Sequence, residues 1–117
     1  MQQLSATDLA EWLAASNSAS ESGVGGCRQR PLLLDVREPW EFELCHLDGS
    51  RLLPMQSLAA RIDELPADAD IVVICHHGVR SRQVGGFLER QGFSSIYNLS
   101  GGVDAWANDV DPAMHKY

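Results

Sequence analysis

The run Pro31-Leu32-Leu33-Leu34-Asp35-Val36 has few polar interruptions, and it constrains the fold of this chain more than any other feature. A strand that packs against helices on both faces is apolar at successive positions, whereas a strand with one face in water alternates. The run Asp70–Ile74 has the same character. We therefore expect parallel strands in the interior of an α/β domain.

Segments with helical and extended patterns alternate along the rest of the chain. Apolar residues at helical spacing predict helices at 6–15, 57–65, 81–91 and near 103–108, with a short helical turn at 38–44. Strands are predicted at 31–36, 51–54, 70–75 and 96–99. Gly92 is expected to end the helix 81–91.

The length of 117 residues is enough for one hydrophobic core and too short for two ordinary domains. A Ser- and Gly-rich stretch predicts a flexible loop at about 16–30, and the residues from about 109 to 117 are expected to form an irregular tail. We therefore interpret residues 1–117 as a single domain.

The charge distribution narrows the class of ligand. The chain has 9 Lys and Arg against 16 Asp and Glu, a formal net charge of -7. This balance argues against a surface for nucleic acid or an anionic membrane. Residues 75–90 nevertheless carry three Arg and one Glu, which suits a small anionic substrate, although Arg82 and Arg90 also fit a solvated helix face.

The three cysteines are Cys27, Cys45 and Cys75. An odd count, with no signal-peptide pattern at the start, favours a reducing compartment, so we expect a cytoplasmic protein. No apolar run reaches the roughly 18 residues of a membrane span. No metal site is expected, because Cys75 and the two histidines after it are adjacent and do not converge on one ion. Cys27 is interpreted as an exposed spectator, with a resolving thiol as the alternative.

Cys75 lies at the end of a predicted strand, before the short loop His76–Ser81 and a helix. This order places a sulfur atom over main-chain N–H groups that have no partner within the helix, where a thiolate is stabilised. Ligands of open α/β sheets also bind beyond the carboxyl ends of strands. We therefore interpret Cys75 as a nucleophile; the alternative is a buried, inert cysteine.

The number of residues between Cys75 and Arg80 indicates which group the cysteine binds during the reaction. Arg80 lies five steps after Cys75, whereas cysteine phosphatases place the arginine six steps on, where this chain has Ser81. The smaller ring of N–H groups suits one additional sulfur atom, as a Cys75 persulfide, better than a phosphate. The thiolate would attack the outer sulfur of a donor such as thiosulfate, and a thiol or cyanide would then accept the sulfur. No cofactor is required.

Each loop residue has an expected role. Gly78 lets the main chain bend, and Arg80 attracts and holds the anion, with help from His76 or His77. The histidines alternatively only shape the pocket. Ser81 is expected to cap the helix, with substrate contact as a secondary role. Val79 completes the loop that is expected to surround the substrate.

The assembled motifs resemble the rhodanese family. The resemblance rests on Leu33-Leu34-Asp35-Val36-Arg37-Glu38, Glu41-Phe42, Cys45-His46-Leu47, Leu53-Pro54, the Cys75–Ser81 loop, Gly92-Phe93, Asn98-Leu99-Ser100-Gly101-Gly102 and Ala105-Trp106. The chain departs from the family at Cys45, where glycine usually precedes the His46 position.

The resemblance implies a three-layer rhodanese-like fold with a five-stranded, mainly parallel sheet, flanked by helices on both faces and with the fifth strand near Leu4. It also implies sulfurtransferase activity through Cys75, with thiosulfate or a protein persulfide as donor, no cofactor, and a sulfur-acceptor protein as one possible partner. Asp35 and Arg37 are linked to the surroundings of the active site in this family. Arg37 is expected to reach the substrate. For Asp35, a structural role that fixes the strand end is expected at least as much as a role in the active site.

Other functions stay open from the sequence. Rhodanese-like domains also serve as non-enzymatic interaction modules, although these usually lack the loop cysteine, and as sulfur-carrier partners in thiolation pathways. A phosphatase or arsenate reductase would also place a cysteine thiolate in an anion cradle, but the ring length argues against the phosphatase.

Overall fold

A computed structural model of the chain describes the backbone of residues 1–22, 30–66 and 68–114. Residues 23–29 of the predicted loop at 16–30, with Cys27 among them, lie outside the described residues. The end of the predicted tail, residues 115–117, also lies outside them.

The part of the chain that the structure describes forms one sheet of five strands, in the order β1-β5-β4-β2-β3, and every adjacent pair is parallel. Their bounds are β1 Gln2–Leu4, β2 Leu32–Asp35, β3 Arg51–Leu52, β4 Ile71–Ile74 and β5 Ile96–Leu99. The expected α/β fold and the edge strand near Leu4 are confirmed, and the sheet is entirely rather than mainly parallel.

Within the described residues, four α-helices lie between successive strands and a fifth follows β5. They are α1 Ala6–Ser22, α2 Pro39–Leu44, α3 Leu58–Arg61, α4 Val79–Arg90 and α5 Gly102–Asp109. The predicted helix 57–65 is broken into α3 and the 3-10 turns Met55–Ser57 and Ile62–Glu64. The prediction that α1 ends near residue 15 is wrong, because the helix continues through residues assigned to the loop. None of the described helices is long and apolar enough to cross a membrane.

Gly92 ends α4 as expected. It has a φ of 101°, and its N–H donates to Glu89 O at 3.1 Å, while Phe93 N–H donates to Leu88 O at 3.1 Å. These two bonds satisfy carbonyls that the last helical turn leaves without an intrahelical donor.

Successive residues of the central strands face opposite layers. Val73 of β4 packs in a core with residues of α3 and α4, whereas Val72 packs with residues of α1 and α5. All four residues of β4 are buried. This burial on both faces explains why its sequence is continuously apolar, and it makes β4 a rigid base for the segment that follows it.

Candidate active site

Cys75 directly follows β4 at the carboxyl edge of the sheet. Its carbonyl oxygen accepts a hydrogen bond from Val103 N–H at 2.9 Å, and the carbonyl of His76 accepts one from Asp104 N–H at 3.1 Å. Both donors belong to the first turn of α5, whose amides have no intrahelical partner. The start of the loop is therefore fixed by β4 on one side and by α5 on the other.

Gly78 turns the loop into α4. It has a φ of 98°, a left-handed conformation that favours glycine, and it is the N-cap of α4. Its N–H donates to the Cys75 Sγ at 2.9 Å. The expected approach of main-chain N–H groups to the sulfur is therefore observed for one amide of the loop.

The Cys75 side chain is completely buried, with 0% of the residue exposed. It is part of the core between the sheet and α4, and its Sγ lies 3.4 Å from the Ser81 Oγ. The sulfur is thus closed off from solvent in this conformation.

Ser81 does not cap α4, contrary to expectation. The helix begins two residues earlier than predicted, at Val79, and Ser81 lies in its first turn with its side chain buried. The Ser81 hydroxyl donates to the Asn98 Oδ1, and the Asn98 Nδ2 donates to the Gln3 Oε1 at 2.8 Å. A chain of polar groups therefore leads from the Cys75 sulfur to Gln3 on β1.

Arg80 is paired with a buried carboxylate. Its Nη1 and Nη2 donate to the two carboxylate oxygens of Glu41 at 2.8 and 2.7 Å. Glu41 also accepts the N–H of Glu38 at 2.8 Å, which completes a capping box at the start of α2. This bidentate ion pair joins α4 to α2. It also balances the positive charge of Arg80, which is expected from the sequence to bind an anion.

Arg37, which is expected from the sequence to reach the substrate, is completely buried in this structure. Its guanidinium donates to both carboxylate oxygens of Asp35, with Nη2 at 2.7 Å from Oδ2, and to the carbonyl oxygen of Cys45 at 2.6 Å. A buried charge needs such partners, and Asp35 and Cys45 supply them. Arg37 therefore fixes the segment after β2.

Cys45 follows α2 in extended backbone, with a φ of -166°. Any residue adopts this conformation, so the position does not require glycine and the cysteine introduces no strain. Its side chain is buried against the second core rather than on the surface.

His76 and His77 stack with their ring centroids 3.9 Å apart. Burial lowers the pKa of His76, and the charge of a protonated His77 lowers it further, while Asp104 and Glu41 act in the opposite direction. His77 is exposed, and its Nδ1 lies 4.0 Å from an Asp104 carboxylate oxygen. The lowered pKa of His76 favours its neutral imidazole, which offers one hydrogen-bond donor and one acceptor.

A cavity of about 160 Å³ opens beside the loop. Its lining includes His77, Gly78, Val79, Arg82 and Asn98. Val79 is 59% exposed, so the structure places it at the surface of the loop. Among the described residues, no group of three or more His, Cys, Asp or Glu side chains could hold a metal ion.

The structure adds three residues to this site that the sequence reasoning did not single out for a role. Glu41 holds Arg80, Asn98 binds Ser81, and Gly102 lies against the loop: a Cβ on Gly102 would come within 2.2 Å of the Cys75 carbonyl oxygen. The spacing of Glu38 and Glu41 is a capping-box signal, but it does not identify Arg80 as a partner.

A family model described as "Rhodanese-like domain" matches residues 8–109. The chain is 37% identical over 89 residues to the Rhodanese-like/PpiC domain-containing protein 12, chloroplastic, of Arabidopsis thaliana, covering 73% of this chain and 30% of that protein. The chain thus spans under a third of that relative's length. It is 40% identical over 75 residues to the Thiosulfate sulfurtransferase GlpE of Ectopseudomonas mendocina, covering 64% of this chain and 69% of the relative.

Among solved structures, the chain is similar to a rhodanese-related protein from Thermoplasma volcanium. The TM-score is 0.76 at 28% sequence identity, over 94% of each chain. The similarity therefore extends over nearly the whole length of both chains.

Proposed function

The chain belongs to the rhodanese-like domain family, and from that premise we propose that it is a sulfurtransferase that carries a sulfane sulfur on Cys75. The observation that carries the proposal is the position of Cys75 at the carboxyl end of β4, with the Gly78 N–H directed at its sulfur. We further propose that residues 1–117 act as a single rhodanese domain. The 40% identity to a protein named a thiosulfate sulfurtransferase supports thiosulfate as the donor.

The proposed reaction has two steps. In the first, the Cys75 thiolate attacks the outer sulfur of thiosulfate, the sulfur–sulfur bond of the donor breaks, and sulfite leaves with the electron pair. In the second, cyanide or a thiolate attacks the outer sulfur of the persulfide and restores the Cys75 thiolate. Charge and sulfur are conserved in each step, and no redox partner or cofactor is required.

The loop supplies electrostatic stabilisation in this proposal. Gly78 donates its N–H to sulfur, and Val79 begins the helix whose N-terminal dipole favours an anion. His76 and His77 donate hydrogen bonds to the incoming anion. Glu41 balances the charge of Arg80 in this structure, so Arg80 attracts the anion only when that pair opens. Ser81 contacts the sulfur from the interior side.

The burial of Cys75 requires that the donor, whether thiosulfate or the persulfide of a protein, reach the sulfur in an open conformation of the loop. A protein could also serve as the acceptor, if it presents its thiol at the same opening.

The test is mass spectrometry of the intact chain after treatment with thiosulfate, followed by cyanide. After thiosulfate, we expect the chain to gain the mass of one sulfur atom, and digestion should locate this sulfur on the peptide that contains Cys75. After cyanide, the added sulfur should leave as thiocyanate. Cys75→Ser should abolish both, whereas Cys45→Ser and Cys27→Ser serve as matched controls and should retain them. An adduct that persists in Cys75→Ser contradicts the proposed site.

A second candidate function is a non-enzymatic rhodanese-like interaction module, and the complete burial of Cys75 is the observation that favours it. A persulfide donor such as a cysteine desulfurase intermediate separates the candidates. Sulfur transfer from a protein persulfide, without transfer from thiosulfate, indicates a sulfur carrier. Absence of transfer from both donors indicates the interaction module.

A further inference from the structure

Cys75, Ser81, Asn98 and Gln3 form a continuous chain of hydrogen-bonding groups beneath the loop. Three of them are buried: Cys75 and Ser81 are 0% exposed and Asn98 is 1% exposed. Gln3 lies on the exposed edge strand β1, where its Oε1 also accepts from the Ser100 hydroxyl at 3.0 Å. This series of hydrogen bonds thus runs from the Cys75 sulfur to the surface of the protein.

The direction of each hydrogen bond in this chain follows from counting hydrogens. Because the Asn98 Nδ2 donates to Gln3, its Oδ1 faces Ser81 and accepts the single hydroxyl hydrogen of that residue. The Ser81 Oγ then has only lone pairs to offer the Cys75 Sγ. The contact between them at 3.4 Å is therefore a bond donated by the sulfur, which requires the neutral thiol.

In the thiolate state of Cys75, the hydrogen bond between the sulfur and Ser81 must run in the opposite direction. A thiolate sulfur carries no hydrogen and only accepts, and the same is true of the inner sulfur of a persulfide. Ser81 must then turn its hydroxyl toward the sulfur, which leaves the buried Asn98 Oδ1 without its donor. If the Asn98 amide turns over, its Nδ2 donates to Ser81 instead, and the exposed Gln3 amide turns to match.

We propose that Ser81 and Asn98 form a reversible hydrogen-bond pair, in which Ser81 donates to the Cys75 sulfur in the thiolate and persulfide states and Asn98 determines how readily it does so. Ser81 is a catalytic residue in this scheme because it touches the reacting sulfur, and Asn98 is a positioning residue. The inference rests on the proposed function only for the persulfide state. The thiol–thiolate exchange requires no substrate.

Other charged and titratable groups lie around the same loop. They are His76 and His77 of the loop, Arg80 of α4, Glu41 of α2, Asp104 of α5 and Arg37 after β2. The variants below leave all of these groups unchanged. Differences among the variants therefore report on the Ser81–Asn98 pair.

The test follows the carbon-13 chemical shift of the Cys75 Cβ with pH by NMR, which reports thiol and thiolate without requiring access to the sulfur. Ser81→Ala removes the donor to the thiolate, so the pH midpoint should rise by about one unit, or about tenfold in the thiol–thiolate equilibrium. Asn98→Leu removes the competing acceptor and leaves Ser81 free to face the sulfur, so the midpoint should fall. The double variant should behave like Ser81→Ala.

Shifts of equal sign in Ser81→Ala and Asn98→Leu, or an unchanged midpoint in either, overturn the pairing, because a role limited to packing has no reason to give opposite signs. If Asn98→Leu fails to fold, Asn98→Ala is measured instead. It removes the same acceptor without adding a charge, and a midpoint that does not fall in this variant overturns the proposal. Opposite shifts in a protein that takes no sulfur from thiosulfate leave the pair intact and count against the enzyme function alone.

Discussion

At the scale of single residues, the arginines nearest the loop are bound by buried carboxylates. Arg80 is held by Glu41 and Arg37 by Asp35, each through at least two guanidinium–carboxylate hydrogen bonds. The planar guanidinium matches a carboxylate in this geometry, which makes the pairs strong where water is excluded. The positive charges of Arg80 and Arg37 are therefore already balanced within the protein.

His76 provides a test of this electrostatic environment. Its pKa is lowered by burial and by the charge of His77, so its NMR titration should show a midpoint below that of an ordinary histidine. The pKa of the folded state is the lower one, so His76 contributes stability above the ordinary histidine value. That contribution is lost as the pH falls through the lowered pKa.

Two variants separate the causes of the lowered pKa of His76. His77→Gln removes a neighbouring positive charge, so the midpoint should rise. Asp104→Asn removes a negative charge that favours protonation, so the midpoint should fall. Midpoints that move in the same direction in both variants contradict this electrostatic interpretation.

At the scale of elements, the sequence predicted the strands better than the contacts between helices. Continuous apolar runs identify β2 and β4 because these strands are buried on both faces, and that property is local to the sequence. The start of α4 was predicted two residues late, because serine is a preferred cap whereas the structure uses the positive φ of Gly78. The Glu41–Arg80 pair joins residues 39 positions apart, and no local pattern encodes it.

Gly102 is expected to be the most sensitive glycine of the loop region. It has a φ of 59°, and an added Cβ would lie within 2.2 Å of the Cys75 carbonyl oxygen and 2.5 Å of the His76 carbonyl oxygen. Gly102→Ala should reduce the free energy of unfolding by at least ~3 kcal/mol, because it adds a main-chain collision to left-handed strain. Denaturant unfolding measures this loss.

Gly92→Ala is the matched control for that experiment. Gly92 also has a positive φ, of 101°, but an added Cβ would meet nothing within 4 Å. The loss should be only about 1–2 kcal/mol, from backbone strain alone. Equal losses of unfolding free energy in the two variants would indicate that the loop moves to accommodate the added Cβ. In that case α5 does not hold the loop rigidly.

At the scale of the whole molecule, the sheet separates two apolar cores. Leu9 of α1 belongs to one and Leu88 of α4 to the other, and both are completely buried. The alternation of side chains along β4 links the cores, since adjacent valines face opposite layers. The two layers are therefore expected to unfold together as one cooperative unit.

Leu9→Ala and Leu88→Ala test that cooperativity. Each should cost about 2–5 kcal/mol of unfolding free energy, because each leaves a cavity in a packed core. The double variant should lose the sum to within about 0.5 kcal/mol, since the two sites share no core. Two separate transitions in thermal or denaturant unfolding would contradict the interpretation of the chain as one domain.

The bonds from α5 to the Cys75 and His76 carbonyls have a consequence for the order of events during protein synthesis. Cys75 leaves the ribosome well before Val103 and Asp104, whose amides bind the carbonyl oxygens of Cys75 and His76. β1 emerges first of all the described strands, yet it pairs with β5, near the other end of the described chain. Until that late segment is translated, the nascent chain carries Cys75 in a loop that α5 does not yet hold in place.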